Sequence, residues 1–225
     1  MTDMERTLIT IAVLGGTGKE GSGLAMRWAL HGYRVIIGSR DAEKAKARAS
    51  ELNEKIGGDY ILGMENREAA AQANLVVLSV PYQAHKDTLE GVRDLLAGKT
   101  VIDVTVPLQP PKVRTVFVPE GKSAALEAKA ILGDSVKLVS AFQNVSSEKM
   151  GDPNQEVQCD VLVTGDDEDA KNDVIKLVEA AGLRGYDAGP LANSVAAEML
   201  TPVLLYLNKR YNVKGTGIRI TGLDL

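Results

Sequence analysis

The chain is poor in the residues that most often carry reactive chemistry. It has a single cysteine, Cys159, and two histidines, His31 and His85, in 225 residues. One thiol excludes an intramolecular disulfide and a cysteine-based zinc site. Cys159 sits just ahead of an apolar run and reads as a small buried filler rather than a nucleophile. Aromatic residues make up only 4% of the chain, which argues against a surface that stacks unpaired bases. The net charge is −4 and no basic tract is present, so no nucleic-acid partner is expected. No apolar run reaches the length of a membrane span, and the polar Met1–Thr7 resembles no signal peptide. A soluble, cytoplasmic protein is expected. With 44% hydrophobic residues the chain can fill the core of one good-sized α/β domain, alone or with a small appendage.

Glycine is not scarce, and its placement is the first positive signal. The run Ile11–Leu14 reads as a buried strand, ends in Gly15-Gly16-Thr17-Gly18-Lys19-Glu20-Gly21, and passes into an alanine-rich helix. Gly16, Gly18 and Gly21 fit the G-x-G-x-x-G spacing of a dinucleotide-binding turn. In that reading the first glycine permits the tight turn, the second lets a pyrophosphate approach the backbone, and the third lets helix and strand pack closely. The helix then starts with unpaired N–H groups and the positive end of its dipole. Glycine-rich turns are common, but here a strand precedes, a helix follows, and a second strand, Arg34–Ile37, comes at the right distance.

The tip of that second strand bears on the cofactor. NAD sites usually carry an acidic side chain there to hold the ribose hydroxyls. This chain has Ser39 and Arg40, with Lys44 one helical turn further on. A hydroxyl, a guanidinium fork and an ammonium suit a 2′-phosphate, hence NADP. Asp41 reads as a helix N-cap rather than a ribose ligand. The alternative is that Arg40 and Lys44 are ordinary solvated charges beside an NAD or other nucleotide site.

Strand-like and helix-like segments alternate along the whole chain. Strands are expected at Thr10–Leu14, Arg34–Ile37, Tyr60–Leu62, Leu75–Val80, Thr100–Asp103, Lys137–Ser140, Asp160–Thr164 and Arg184–Asp187. Helices are expected at Gly18–His31, Asp41–Ile56, Arg67–Ala73, Ala84–Leu96, Ser123–Leu132 and Asp167–Ala181. Continuous apolar strands alternating with helices imply an α/β, Rossmann-like, doubly wound and mostly parallel sheet. The expected division is a nucleotide-binding domain over 1–165 and a small C-terminal α/β extension over 166–225 that completes the substrate pocket. Three places break the pattern: Val104–Lys122, with Pro107, Pro110, Pro111 and Pro119, the polar Phe142–Glu156, and Ala188–Leu225, a long apolar helix with a glycine-punctuated tail. The first two follow strand carboxyl ends, where open α/β sheets bind ligands, so both read as site walls. The ends Leu78–Gln83 and Asp103–Pro107 would give an apolar floor under a nicotinamide, including Ser79, Val80, Pro81, Gln83 and Val106.

No acid–base or nucleophilic constellation stands out. His31 would satisfy carbonyls at the end of the first helix. His85 lies near the expected site, although a surface histidine is the ordinary case; neither it nor Tyr82 has an obvious partner. The run Asp166-Asp167-Glu168-Asp169 reads as helix capping in preference to metal binding. The C-terminal helix Ala196–Tyr206 has more apolar residues than one face of a monomer needs, which suggests a homodimer.

Taken together, these motifs resemble the NADPH-dependent reductases of coenzyme F420, the F420H2:NADP oxidoreductases. The resemblance runs from Ile11 to Leu223. It rests on Val13–Gly18 with Gly21 and Gly23, Gly38-Ser39-Arg40 with Glu43-Lys44-Ala45, and Ser79-Val80-Pro81. It continues through Thr164–Asp167, Asp187–Ser194, Leu200-Thr201-Pro202 and Gly217-Ile218-Arg219. A related sequence occurs in membrane ferric reductases, which carry a membrane domain besides. The resemblance implies that Thr17, Ser39, Arg40 and Lys44 hold the 2′-phosphate, and that Thr17–Glu20 lie along the pyrophosphate. It implies that Ser79–Pro81 and Gln83 border the ribose and nicotinamide. Asn144, Val145 and Ser147 would lie near nicotinamide and deazaflavin, with Thr216 closing the pocket. Gln143 stands where one form of the family has histidine. The implied reaction is direct hydride transfer between NADP(H) and F420 without an essential protein acid or base. The alternatives are an NADP-dependent reductase of a ferric chelate, imine or carbonyl, and a non-catalytic NADP sensor.

Overall fold

The computed structural model describes residues 9–223, so the reading of Met1–Thr7 lies outside the described residues. Eight strands form one sheet: β1 (Thr10–Leu14), β2 (Arg34–Ser39), β3 (Ile61–Glu65), β4 (Leu75–Leu78), β5 (Thr100–Asp103), β6 (Lys137–Ser140), β7 (Asp160–Gly165) and β8 (Arg184–Asp187). Their order is β3-β2-β1-β4-β5-β6-β7-β8. Every neighbouring pair is parallel except β6 and β7, which run antiparallel. The α/β, Rossmann-like expectation is therefore met, and β7 and β8 extend the same sheet. Strand order reverses between β1 and β4, the place where open α/β sheets leave a crevice for a ligand.

Strand alternation sends side chains into two cores. Ile11 and Val13 of β1 join one with Trp28, Leu52, Phe142 and Val174, covered by α1 (Lys19–Leu30), α2 (Ala42–Ile56) and α7 (Glu168–Ala180). Ala12 and Leu14 join the other with Ala69, Leu89, Leu96 and Leu132, under α3 (Asn66–Gln72), α4 (Tyr82–Val92) and α5 (Ala124–Leu132). Two covered faces explain why β1 is buried at all five positions and reads as one apolar run. Helix starts follow local chemistry: Asp41, Ser123 and Asp167 accept first-turn N–H groups, each such cap contributing about 1 kcal/mol. The capping readings of Asp41 and Asp167 hold, and Asp166 accepts from the Leu191 N–H at 2.9 Å.

Several boundaries differ from expectation. β4 ends at Leu78 rather than Val80, because Pro81 (φ −57°) begins α4, which starts at Tyr82 and not Ala84. A proline fits a helix start, where no N–H is needed. α4 closes at Val92, and Arg93–Leu95 continue as a 3-10 turn. β3 runs Ile61–Glu65, later than Tyr60–Leu62, because it pairs with the extended β2 through Ser39↔Glu65. The Phe142–Glu156 wall contains a one-turn helix, α6 (Ser147–Met150). The last helix, α8, spans Ser194–Arg210 and absorbs Pro202 in its interior. Glu198 of α8 accepts the Ala124 and Ala125 N–H groups at 2.7 and 3.1 Å, so the last helix caps α5.

Candidate active site

The glycine turn is built by close approach. The left-handed residue is Gly15 (φ +74°), one place before the glycine that the spacing singles out for the tight turn. Gly16 is held to glycine by packing instead: a Cβ there would lie 2.7 Å from the Val13 carbonyl oxygen and 2.9 Å from Ile37. A Cβ on Gly21 would lie 2.8 Å from the Gly16 Cα, as expected for the glycine that lets α1 press on β1. Gly18 is different. Its nearest neighbour would be the Gly15 carbonyl at 3.4 Å, and it caps α1 with no side-chain hydrogen bond. Open space above an uncapped helix start is what a pyrophosphate needs.

Two cavities share Pro81 and Gln83, and Gly18, Lys19 and Glu20 of the turn line the larger of them. The larger, about 700 Å³, is lined by Gly18, Lys19, Glu20, Ser79, Val80, Pro81, Gln83, Val106, Asn144, Val145, Ser147 and Thr216 among the expected residues. Both irregular segments contribute to it, Val104–Val113 from one side and Gln143–Glu148 from the other, and α8 closes it with Thr201, Leu204 and Asn208. The smaller, about 440 Å³, includes Arg40, Glu65, Asn66 and Arg67. Gly16, Thr17, Gly21, Ser39 and Lys44 line neither cavity. Ser39 accepts the Asp41 N–H at 3.2 Å at the tip of β2, and Arg40 and Lys44 are exposed there. The arrangement suits an elongated ligand with a charged end at Arg40 and an uncharged ring in the larger space.

The wall from Phe142 onward is fixed by Arg27, a residue that sequence reasoning passed over. Buried in α1, its guanidinium donates to the carbonyls of Met150 (3.3 Å), Lys149 (3.4 Å), Asp152 (2.6 Å), Gln155 (2.9 Å) and Ala181 (2.9 Å). Burial lowers its pKa, partly offset by Asp152. Asn144 donates to the Asp160 carbonyl at 2.6 Å and to Cys159 Sγ at 3.1 Å. Thr201 Oγ donates to the Gln143 carbonyl at 2.6 Å, and Thr216 Oγ to the Leu204 carbonyl at 3.0 Å. Cys159 is buried, as expected, and burial pushes its thiol pKa up.

The histidine readings divide. His31 Nδ1 meets the Arg27 carbonyl at 2.9 Å at the end of α1, as expected. His85 corrects the expectation of a surface residue: it is 1% exposed, with Nε2 2.7 Å from Asp103 Oδ2. It faces inward because α4 begins two residues early, at Tyr82, and the turn lays it against the end of β5. Burial disfavours its charged form, but the Asp103 charge and hydrogen bond outweigh this and raise its pKa. Tyr82 also has a partner, donating to Glu127 Oε2 at 2.9 Å. Burial, with help from Glu127, pushes its hydroxyl up to about 12. Burial pushes Glu198 up to about 8, with Asp103 adding to the shift. A polar cluster thus lies beneath the floor, where none was legible.

Three buried polar atoms on the larger cavity have no partner: Glu20 Oε1, Thr105 Oγ1 and Gln143 Oε1. Asn66 Oδ1 is in the same position on the smaller cavity. Native interiors rarely leave such atoms unpaired, so each has hydrogen-bonding capacity left over for water or a ligand at the cavity wall. Burial raises the Glu20 carboxyl to about 8. Among the described residues no group of three or more His, Cys, Asp or Glu could hold a metal, and no helix is long and apolar enough to cross a membrane.

The comparisons agree with this geometry. Residues 10–107 match the family model described as NADP oxidoreductase coenzyme F420-dependent. The F420-dependent NADP reductase of Methanothermobacter thermautotrophicus is 42% identical over 223 residues, covering 96% of each chain. That of Methanocaldococcus jannaschii is 42% identical over 96% of this chain and 99% of its own. A crystal structure from Arthrobacter sp. FB24, assigned as an F420-dependent NADP reductase, superposes with a TM-score of 0.80 at 27% identity, covering 95% of this chain and 99% of the other. With relatives 42% identical along 96% of its length, the chain belongs to the F420-dependent NADP reductase family.

Proposed function

We propose that this protein is an oxidoreductase that moves a hydride, reversibly, between the nicotinamide C4 of NADP(H) and the C5 of the deazaflavin coenzyme F420. The observation that carries the reading is the pair of cavities joined at Pro81 and Gln83, the larger of them lined by Gly18, Lys19 and Glu20 of the glycine turn. NADP spans both. Ser39, Arg40 and Lys44, with Thr17, hold the 2′-phosphate, and Asn66 lines the adenosine end. Gly16, Gly18, Lys19, Glu20 and Gly21 form the pyrophosphate turn. Ser79, Val80, Pro81, Gln83 and Val106 border the nicotinamide, and Asn144, Val145, Ser147 and Thr216 enclose the second ring.

The chain's own contribution is alignment and exclusion of water. Hydride transfer between two held rings depends on their approach geometry and a dry site. The polar groups near the floor suit this role better than proton donation. Tyr82 is engaged with Glu127 and pushed up to about 12, so it gives up its proton poorly at neutral pH. This disfavours a carbonyl reductase. We further propose a cytoplasmic homodimer through α8, where Val203 and Tyr206 are 46% and 55% exposed. The segment from residue 166 acts as an extension that completes the pocket through α8 and the tail at Thr216.

Mixing the purified protein with oxidised F420 and NADPH, with NADH in parallel, tests the reading. Rapid loss of deazaflavin absorbance with NADPH and little with NADH is expected. Arg40→Ala should raise the KM for NADPH about tenfold or more, with little change in kcat, because a guanidinium–phosphate contact is charge-assisted. Tight NADPH binding with no bleaching would point to another acceptor or a sensor.

A further inference from the structure

The buried cluster under the floor does more than fill space, because Asp103 stands at its centre and touches both walls of the cavity. Its Oδ2 meets His85 Nε2 at 2.7 Å, and its Oδ1 accepts the Thr105 N–H at 2.9 Å. Its backbone carbonyl accepts Gln143 Nε2 at 2.7 Å, and that same nitrogen lies 2.9 Å from Ser140 Oγ. A carbonyl can only accept, so the Gln143 amide is fixed with its nitrogen toward β5 and its oxygen free. Thr105 and Gln143 are 3% and 4% exposed, both line the larger cavity, and Thr105 Oγ1 and Gln143 Oε1 are the atoms left without partners. The wall therefore holds one obligate acceptor and one hydroxyl without a protein partner, both covered at its surface, so a ring reaches them as the wall side chains give way.

We infer that Thr105 and Gln143 read an amide edge, an N–H beside a C=O, on the ring that enters the cavity, and that His85 positions both through Asp103. Gln143 Oε1 accepts the ligand N–H, and the Thr105 hydroxyl donates to the ligand carbonyl. Two rings of the proposed reaction carry such an edge: the carboxamide of nicotinamide and the pyrimidinedione of the deazaflavin. The inference rests on the proposed function for the identity of those rings. Neither side chain touches a reacting carbon in this scheme. Both set the orientation of the ring, and His85 acts one step further back. His85 keeps the Asp103 carboxylate from turning into the cavity, where it would take the donor meant for Gln143.

Thr105→Val and Gln143→Leu remove the two atoms with little change in volume. In the full-length protein, dissociation constants are measured for 2′,5′-ADP, which has no amide edge, for NADP+, and for the 3-acetylpyridine analogue of NADP+, which lacks the amino group. The KM for F420 is measured alongside. Unchanged 2′,5′-ADP binding is expected, with about tenfold weaker binding of one ring, the scale of one well-made hydrogen bond. Weaker NADP+ binding, with loss of its advantage over the acetylpyridine analogue in Gln143→Leu, assigns the edge to the carboxamide. A raised KM for F420 with NADP+ binding intact assigns it to the deazaflavin. His85→Leu should reproduce the same loss, and His85→Gln, whose amide can still donate to Asp103, should restore most of it. Wild-type constants for both rings in Thr105→Val and Gln143→Leu overturn the inference, as does parallel weakening of 2′,5′-ADP. His85→Leu that only lowers the melting temperature overturns its positioning role; if that variant does not fold, a wild-type-like His85→Gln beside impaired pocket variants upholds it and an impaired one overturns it. Wild-type protein inactive toward F420 defeats the proposed function alone, since the NADP+ arm still decides whether the pair reads the carboxamide.

Discussion

The two walls of the cavity are both irregular, both follow a strand carboxyl end, and are held by different means. The 142–156 wall is tied from inside: Arg27 gathers four of its carbonyls besides that of Ala181, Asn144 reaches Asp160, and Thr201 reaches Gln143. The 104–122 wall has a buried root, Val104–Thr105, but residues 109–112 and Arg114–Val116 are exposed. Beyond its root it is held by short local turns, a long contact from Gln83 Nε2 to the Leu108 carbonyl at 3.3 Å, one from the Gly121 N–H to Glu127, an edge-on contact of Phe117 with Tyr82, and the buried Pro107 and Pro119. The difference teaches that irregular backbone can be as fixed as a helix when one buried donor satisfies its carbonyls. The wall without such a donor is the one free to admit a large planar substrate.

The comparison breaks most sharply at Arg27. Arg27→Leu leaves up to five carbonyls short of a donor, and a loss on the order of 4 kcal/mol is expected, at the upper end for single changes. Urea unfolding would measure it. Arg27→Lys keeps the charge but not the fork, so it should recover only part. A loss below about 1 kcal/mol would mean that the wall is held by its apolar residues, such as Val145 and Met150, and not by the arginine.

The looser wall should show itself first to a protease. Cleavage under native conditions is expected within 109–118 before any cut within 142–156, because exposed segments with few ties open at low cost. NADP+ together with F420 should slow that cleavage severalfold if the substrates lean on this wall. Equal cleavage of both walls would remove the distinction.

Most of the frame was legible in the residues, for a physical reason in each case. β1, β5 and β6 came out at their expected bounds because a strand in a covered sheet must be a bounded apolar run; β8 did too, although its Arg-Gly-Tyr-Asp is polar and half-exposed at the sheet edge. The caps at Asp41 and Asp167 followed from side chains whose chemistry acts within three residues. The glycine turn was found, with its left-handed residue at Gly15 and not Gly16, because spacing cannot tell a left-handed residue from one squeezed by a neighbour's carbonyl. What was not legible is long-range and polar. Arg27 meets carbonyls more than 120 residues away, and the His85–Asp103 pair joins a helix to a strand end. No local pattern encodes such pairings, and backbone acceptors leave no mark on side-chain sequence.

A smaller effect is expected at Gln83, the tie of the loose wall. Gln83→Ala should change stability by less than about 1 kcal/mol, since the contact is long and exposed. It should raise the KM for NADPH a few-fold, because Gln83 also stands where the two cavities meet. A large loss of stability would mean that this wall is held more firmly than its contacts indicate.

The subtlest difference between the walls is in how they respond to pH. Glu20 lines the larger cavity together with Lys19 and with Ser147 and Glu148 of the tied side. Its carboxyl titrates near 8 in the folded chain against about 4.5 when unfolded. Folding therefore favours the neutral form, and the stability this adds is complete below about pH 4.5 and lost as pH rises through 8. His85, raised by Asp103, and Glu198, near 8, act in the same direction, so the slope alone does not isolate Glu20. Comparison with Glu20→Gln does: the wild type should lose more melting temperature between pH 6 and 9 than the variant. Over the same range the KM for NADPH should rise in the wild type only, as a carboxylate forms beside the pyrophosphate path. The Lys19 ammonium offsets part of that repulsion and Glu148 adds to it, so the rise should be about two- to threefold and shrink at high salt. Parallel curves for the two proteins would mean that Glu20 finds water or Lys19 when charged, and that the tied wall is as open to solvent as the loose one.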